Sequence, residues 1–94
     1  MIDFLKDCGL STNDIEEIEE INTEFNLYNL NSNEFDVVKM IDYLSKNGVK
    51  DIKQILMYNI DIFFTSFDEF KDMFDKKDKR IVSIINLEYN NSDL

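Results

Sequence analysis

The sequence predicts an all-α fold of about five or six short helices, and three observations carry that prediction. First, apolar residues recur at three- and four-residue spacing, as in Phe35, Val38, Ile41 and Leu44, or Phe67, Phe70, Met73 and Phe74. Second, a small polar residue stands three positions before an acid at the head of these runs: Ser11 before Asp14, Asn31 before Glu34, Ser66 before Glu69. That spacing is the capping box, in which each partner satisfies an otherwise orphaned N–H at a helix start. Third, the chain has two glycines, Gly9 and Gly48, and each directly follows an apolar-periodic run. Glycine adopts the left-handed conformation that ends a helix at little cost. There is no proline, and no alternating run bounded by turn residues reads as a strand.

Taken in order, residues 2–8 form a short helix with Ile2, Phe4, Leu5 and Cys8 on its apolar side. A second helix over about 12–22 starts from the Ser11–Asp14 box and buries Ile15, Ile18 and Ile21. Phe25, Leu27, Tyr28 and Leu30 make the segment 23–30 a short helical turn packed by aromatics. The longest helix covers about 33–46, and another, about 50–58, carries Ile52, Ile55 and Leu56. Residues 59–64 parallel the 23–30 segment. Ser66 then opens a helix with Phe67, Phe70, Met73 and Phe74, and 76–80 is a charged break. A C-terminal helix over about 80–88 carries Ile81, Ile84, Ile85 and Leu87, and residues 90–94 form a polar tail. Residues 1–94 are expected to be one all-helical domain.

A repeat underlies this order. Ile2-Asp3-Phe4-Leu5, Gly9-Leu10, Asp14-Ile15 and Ile18 mirror Ile41-Asp42-Tyr43-Leu44, Gly48-Val49, Asp51-Ile52 and Ile55. Asn33-Glu34-Phe35 likewise mirrors Asp68-Glu69-Phe70. The offsets fall from 39 through 37 to 35 residues, within the range of helical repeat units. The clearer unit, residues 41–75, resembles the helical repeat of the mitochondrial transcription termination factor (mTERF) family, and residues 2–40 resemble a more degenerate copy. The resemblance implies two degenerate helix-turn-helix repeats and, as the family's activity, nucleic-acid binding through a basic concave surface. The chain departs from that pattern. It has no proline before the third element of the repeat, it spans two repeats rather than many, and its net charge is −10.

Composition narrows the function classes. With 44% hydrophobic and 13% aromatic residues the chain can close a packed core, so it is not expected to be disordered. No apolar run approaches a spanning helix and no basic-then-apolar leader opens the sequence, which predicts a soluble cytoplasmic protein with no membrane partner. A single cysteine, Cys8, forms no internal disulfide and reads as a buried apolar residue. Histidine is absent, neither glycine sits in a phosphate-binding loop, and the acids do not follow calcium-loop spacing. No enzyme activity, cofactor or metal is therefore expected.

Charge is the informative feature. Residues 1–38 hold ten acids and one base, a balance of −9, whereas residues 39–94 hold ten acids and nine bases, a balance of −1. Asp14, Glu16, Glu17, Glu19, Glu20 and Glu24 form the core of an acidic face that repels phosphate and attracts basic surfaces. The bland reading is a solvated helix face, with the early acids favoured by the helix dipole. The functional reading is a surface for a basic protein partner, as in a small inhibitor or antagonist. Phe63 and Phe64, adjacent and so about 100° apart on a helix, are either a core plug between the repeats or an apolar docking site. Lys76, Lys77, Lys79 and Arg80 are the counter-evidence, a candidate phosphate contact diluted by Asp78. The leading reading is a non-enzymatic acidic protein-interaction module. The alternative is an mTERF-like nucleic-acid binder.

Overall fold

The computed structural model describes residues 1–84, which fold entirely into helices and turns, with no strand among the described residues. A 3-10 helix, Asp3–Cys8, opens the chain, followed by α1 (Thr12–Ile21), α2 (Glu24–Ser32), α3 (Glu34–Lys46) and α4 (Ile52–Tyr58). A second 3-10 helix, Ile60–Phe63, leads into α5 (Phe67–Asp75), and residues 79–84 are again helical. The expected C-terminal helix is thus present from 79 to 84; its continuation through Ile85 and Leu87 and the polar tail at 90–94 lie outside the described residues.

The caps explain the boundaries. Ser11 and Asp14 form the full reciprocal box, with Asp14 N–H donating to Ser11 Oγ and Ser11 N–H donating to Asp14 Oδ2, both at 3.0 Å. Thr23, Asp51 and Ser66 cap α2, α4 and α5 by accepting from the N–H three residues on. Glu69 does not complete the Ser66 box, because its carboxylate accepts the Thr65 hydroxyl at 2.6 Å instead. The Asn31–Glu34 box does not form. Asn33 is the junction residue, and its side chain makes no cap bond.

Helices end by one repeated device. At Gly48, φ 88°, the Gly48 N–H reaches Ser45 O and the Val49 N–H reaches Leu44 O. At Gly9, φ 93°, the Gly9 N–H reaches Lys6 O and the Leu10 N–H reaches Leu5 O. These are Schellman closures, which satisfy the last carbonyls and fold the next apolar residue back onto the helix. The same closure ends α5 at Lys77, where Lys77 N–H bonds Phe74 O and Asp78 N–H bonds Met73 O. Lys77 is non-glycine at φ 57° and so carries strain that the glycines avoid.

The buried apolar residues form one continuous core running from Ile2 to Ile84. In it α1 packs on α4 and on the first 3-10 helix, while α3 runs through the middle against the first 3-10 helix, α2, α4 and α5. The Cα radius of gyration is 12.5 Å, close to the roughly 12 Å of a compact chain this long. Two asparagines tie the junctions across the core. Asn22, at the end of α1, donates to Ile18 O and to Leu56 O in α4. Asn33 donates to Phe63 O and Thr65 O at 2.9 and 2.8 Å, pinning the α2–α3 joint to the segment before α5. Tyr43 of α3 stands edge-on to Phe67 and Phe74 of α5, and its hydroxyl donates to Asp75 at 2.6 Å.

Candidate functional site

The six acids expected to act as one face do not share one environment. Asp14 is engaged by its cap and by Lys53 of α4, and Glu17 pairs with the same Lys53 ammonium. The Ser11 N–H and hydroxyl, then Lys53, hold the Asp14 carboxyl below its ordinary range. Glu17, joined by Asp14, raises the Lys53 ammonium. Glu19 faces the N-terminal amine at 3.7 Å. Glu16, Glu20 and Glu24 are exposed and make no ion pair among the described residues. Half of the expected set therefore pairs within the protein, and half is exposed without an ion pair among the described residues.

The basic cluster is similarly divided. Lys76 pairs with Asp72 at 3.0 Å and Arg80 pairs with Asp61. Lys77 and Lys79 are exposed and unpaired among the described residues. Asp78 caps the helical turn at 79–84, its carboxylate accepting the Arg80 N–H at 3.0 Å. Of the four bases expected to contact phosphate, the structure thus leaves two, Lys77 and Lys79, without an ion pair among the described residues.

Of the two readings of the Phe63–Phe64 pair, Phe63 does not fit the docking site and fits a core residue, since it is 0% exposed and stacked on Phe70 at 6.2 Å. The 3-10 turn at 60–63 makes this possible, because it buries Ile60, Ile62 and Phe63 together. Phe64 is half-buried against the same core. Ile21, expected inside, is corrected: it is exposed, because α1 ends there and Asn22 is already extended.

The exposed apolar surface lies elsewhere. Phe25 and Tyr28 stand out from α2, and Phe35 and Val38 from α3; Phe35 is 83% exposed. Periodicity alone had counted Phe35 and Val38 with the α3 stripe, whose buried members are Val37, Met40, Ile41 and Leu44. Phe35 and Val38 border a groove between α3 and the first 3-10 helix. One end, about 530 Å³, is lined by Phe4, Asp7, Glu34, Phe35, Val38 and Lys39. The other, about 320 Å³, shares Asp7, Val38 and Lys39 and extends past Cys8 and Ile41 to Asp42 and Ser45. Asp7, Glu34 and Asp42 rim it against one base, Lys39.

Cys8 sits half-buried in this groove, its thiol directed at Phe4 O. Burial, then the carboxylates of Asp7 and Asp42, push the thiol above its ordinary range, which disfavours a reactive thiolate. No group of three or more metal-ligating side chains converges among the described residues. No helix among them is long and apolar enough to cross a membrane. Comparison with protein-family models, with curated proteins and with solved structures finds no match to this chain.

Proposed function

We propose that this protein is a non-enzymatic interaction module whose acidic N-terminal half binds a basic protein surface, in the manner of a small inhibitor or antagonist. One observation carries the reading. Among the described residues, the Lys and Arg side chains that form ion pairs (Lys46, Lys53, Lys71, Lys76 and Arg80) all come from residues 39–94, and Lys53 is the one that reaches an acid of residues 1–38. Asp3, Asp7, Glu16, Glu20, Glu24, Glu34 and Asp36 are left without an ion-pair partner among the described residues. Uncompensated charge of one sign steers oppositely charged partners and speeds encounter. The same reading takes the chain as a cytoplasmic protein of two degenerate helix-turn-helix repeats, about 2–40 and 41–75, resembling those of the mTERF family. The matching closures at Gly9 and Gly48 support that repeat.

The competing reading, a nucleic-acid binder, rests on Lys77 and Lys79. A tagged pull-down from the native cell, divided and treated with nuclease in one half, separates the two. The triple variant Glu16→Gln, Glu20→Gln, Glu24→Gln is expected to lose a nuclease-resistant protein partner, which high salt also releases. Neutralising Lys76, Lys77, Lys79 and Arg80 is expected to leave that capture intact. Capture that vanishes with nuclease, or with the basic variant alone, overturns the proposal in favour of nucleic acid.

A further inference from the structure

We infer that the groove between the first 3-10 helix and α3 takes a basic amphipathic helix of the partner, in addition to the contact the partner makes through Glu16, Glu20 and Glu24. This rests on the reading of the protein as an acidic interaction module and names where and how this second contact is made. The geometry is that of a helix-in-groove site. Phe4 and Cys8 come from one wall and Phe35 and Val38 from the other, with buried Ile41 below. Phe35, Val38, Asp42 and Ser45 follow at helical spacing along α3, a row of roughly 15 Å at 1.5 Å per residue, enough for about ten residues of a second helix. Phe35 is the most exposed of the large apolar side chains among the described residues, and it lines the groove beside Val38.

Charge decides the occupant. Asp7, Glu34 and Asp42 rim the apolar floor, opposed by Lys39. Asp42 is shared with Lys46, but Asp7 and Glu34 have no ion-pair partner among the described residues. A second copy of this chain, with net charge −10, is repelled from such a rim, and residues 85–94 bring Glu88 and Asp93 and no base. A helix with an apolar stripe and flanking Lys or Arg satisfies both the floor and the rim. Burial first, and then the Asp7 and Asp42 carboxylates that line the groove, raise the Cys8 thiol.

The test uses the full-length protein, isotope-labelled, titrated with three synthetic peptides of about 14 residues. One is an amphipathic helix with a Leu face and a Lys face. The second has the Leu face with Glu in place of Lys, and the third has the first peptide's composition scrambled so that no apolar stripe forms. The expected result is binding of the first peptide alone. Backbone shifts should centre on Phe4, Cys8, Phe35, Val38 and Ile41, and Cys8 alkylation by iodoacetamide should slow when the peptide is bound. Phe35→Ala and Val38→Glu, at exposed positions that do not support the core, should each weaken binding at least about tenfold. Asp7→Asn with Glu34→Gln should weaken it about threefold and flatten its salt dependence.

Shifts centred on Glu16, Glu20 and Glu24, with Cys8 still accessible, overturn the groove and leave the acidic-module reading standing. Equal binding of the scrambled peptide overturns the helix. Sedimentation showing a dimer that Val38→Glu dissociates overturns the basic partner in favour of a second copy. No binding of the Lys peptide overturns the inference, and the nuclease-divided pull-down then decides the broader reading independently.

Discussion

Asn33 is a single side chain that holds two parts of the fold in register. Its amide donates to both Phe63 O and Thr65 O, carbonyls 30 and 32 residues along the chain. Each such bond is worth about 1 kcal/mol net, and more when an acceptor is left dry. Asn33→Ala is therefore expected to cost about 2 kcal/mol in urea unfolding. Asn33→Asp should cost more, because a carboxylate meets two carbonyls with no proton to give. Lys77 makes the opposite case. It holds the left-handed position of a Schellman closure at φ 57°, where a Cβ is unwelcome. Lys77→Gly should raise stability by about 1 kcal/mol, read as a higher urea midpoint at unchanged slope.

At the scale of the element, the helices are short and their ends matter as much as their faces. Seven residues in α4 and nine in α2 and α5 are too few to be stable alone, so caps and tertiary contacts hold them. Two of these contacts titrate. Asp14, through Ser11 and Lys53, and Asp75, through Tyr43 and Lys71, both ionise below the ordinary aspartate value of 3.8. A carboxylate lowered by folding binds its proton more readily in the unfolded chain. Its contribution is complete above 3.8 and drains away as pH falls through the lowered folded value. Asp14→Asn should lose stability at about pH 6 and approach the parent as pH falls well below 3.8, whereas Ser11→Ala should lose stability at both ends, because the Ser11 hydroxyl caps the Asp14 N–H at any pH. Urea midpoints across that range check it; parallel curves at all pH values would show that the box carries no charge-dependent stability.

For the whole molecule, the question is whether the ion pairs or the net charge dominate the response to salt. The paired side chains are exposed or half-exposed, and such solvent-screened pairs contribute little each. Against them stands a net charge of −10 on a chain of 94 residues, nine units of it in residues 1–38. Repulsion among the unpaired acids acts over longer distances than the pairs do, and a Debye length of about 10 Å at 0.1 M salt removes it first. The melting temperature should therefore rise by a few degrees between about 0.02 and 0.3 M sodium chloride. A fall over that range, measured by calorimetry, would show that ion pairs outweigh repulsion. The same unspent charge is what the proposed partner would neutralise on binding.

The helical class, the order of elements and most of their limits were legible in the chain, because they depend on local chemistry. Gly9 and Gly48 adopt φ above zero without strain, Ser11 reaches an N–H three residues on, and 3.6-residue periodicity marks α3 as a helix and picks out Ile41 and Leu44 as buried. What tertiary structure decided was which side chains were left over. Phe63 and Phe35 are the same residue type in comparable apolar runs, yet one is stacked beneath α5 and the other is open to solvent. Asn22 and Asn33 look like ordinary junction residues until a carbonyl from a distant segment arrives beside each. Lys53 divides an acidic face that is continuous in sequence, because α4 lies against α1. Propensity and capping act within a few residues along the backbone. Burial, pairing and grooves depend on what the rest of the chain packs beside them, and only the folded core determines that.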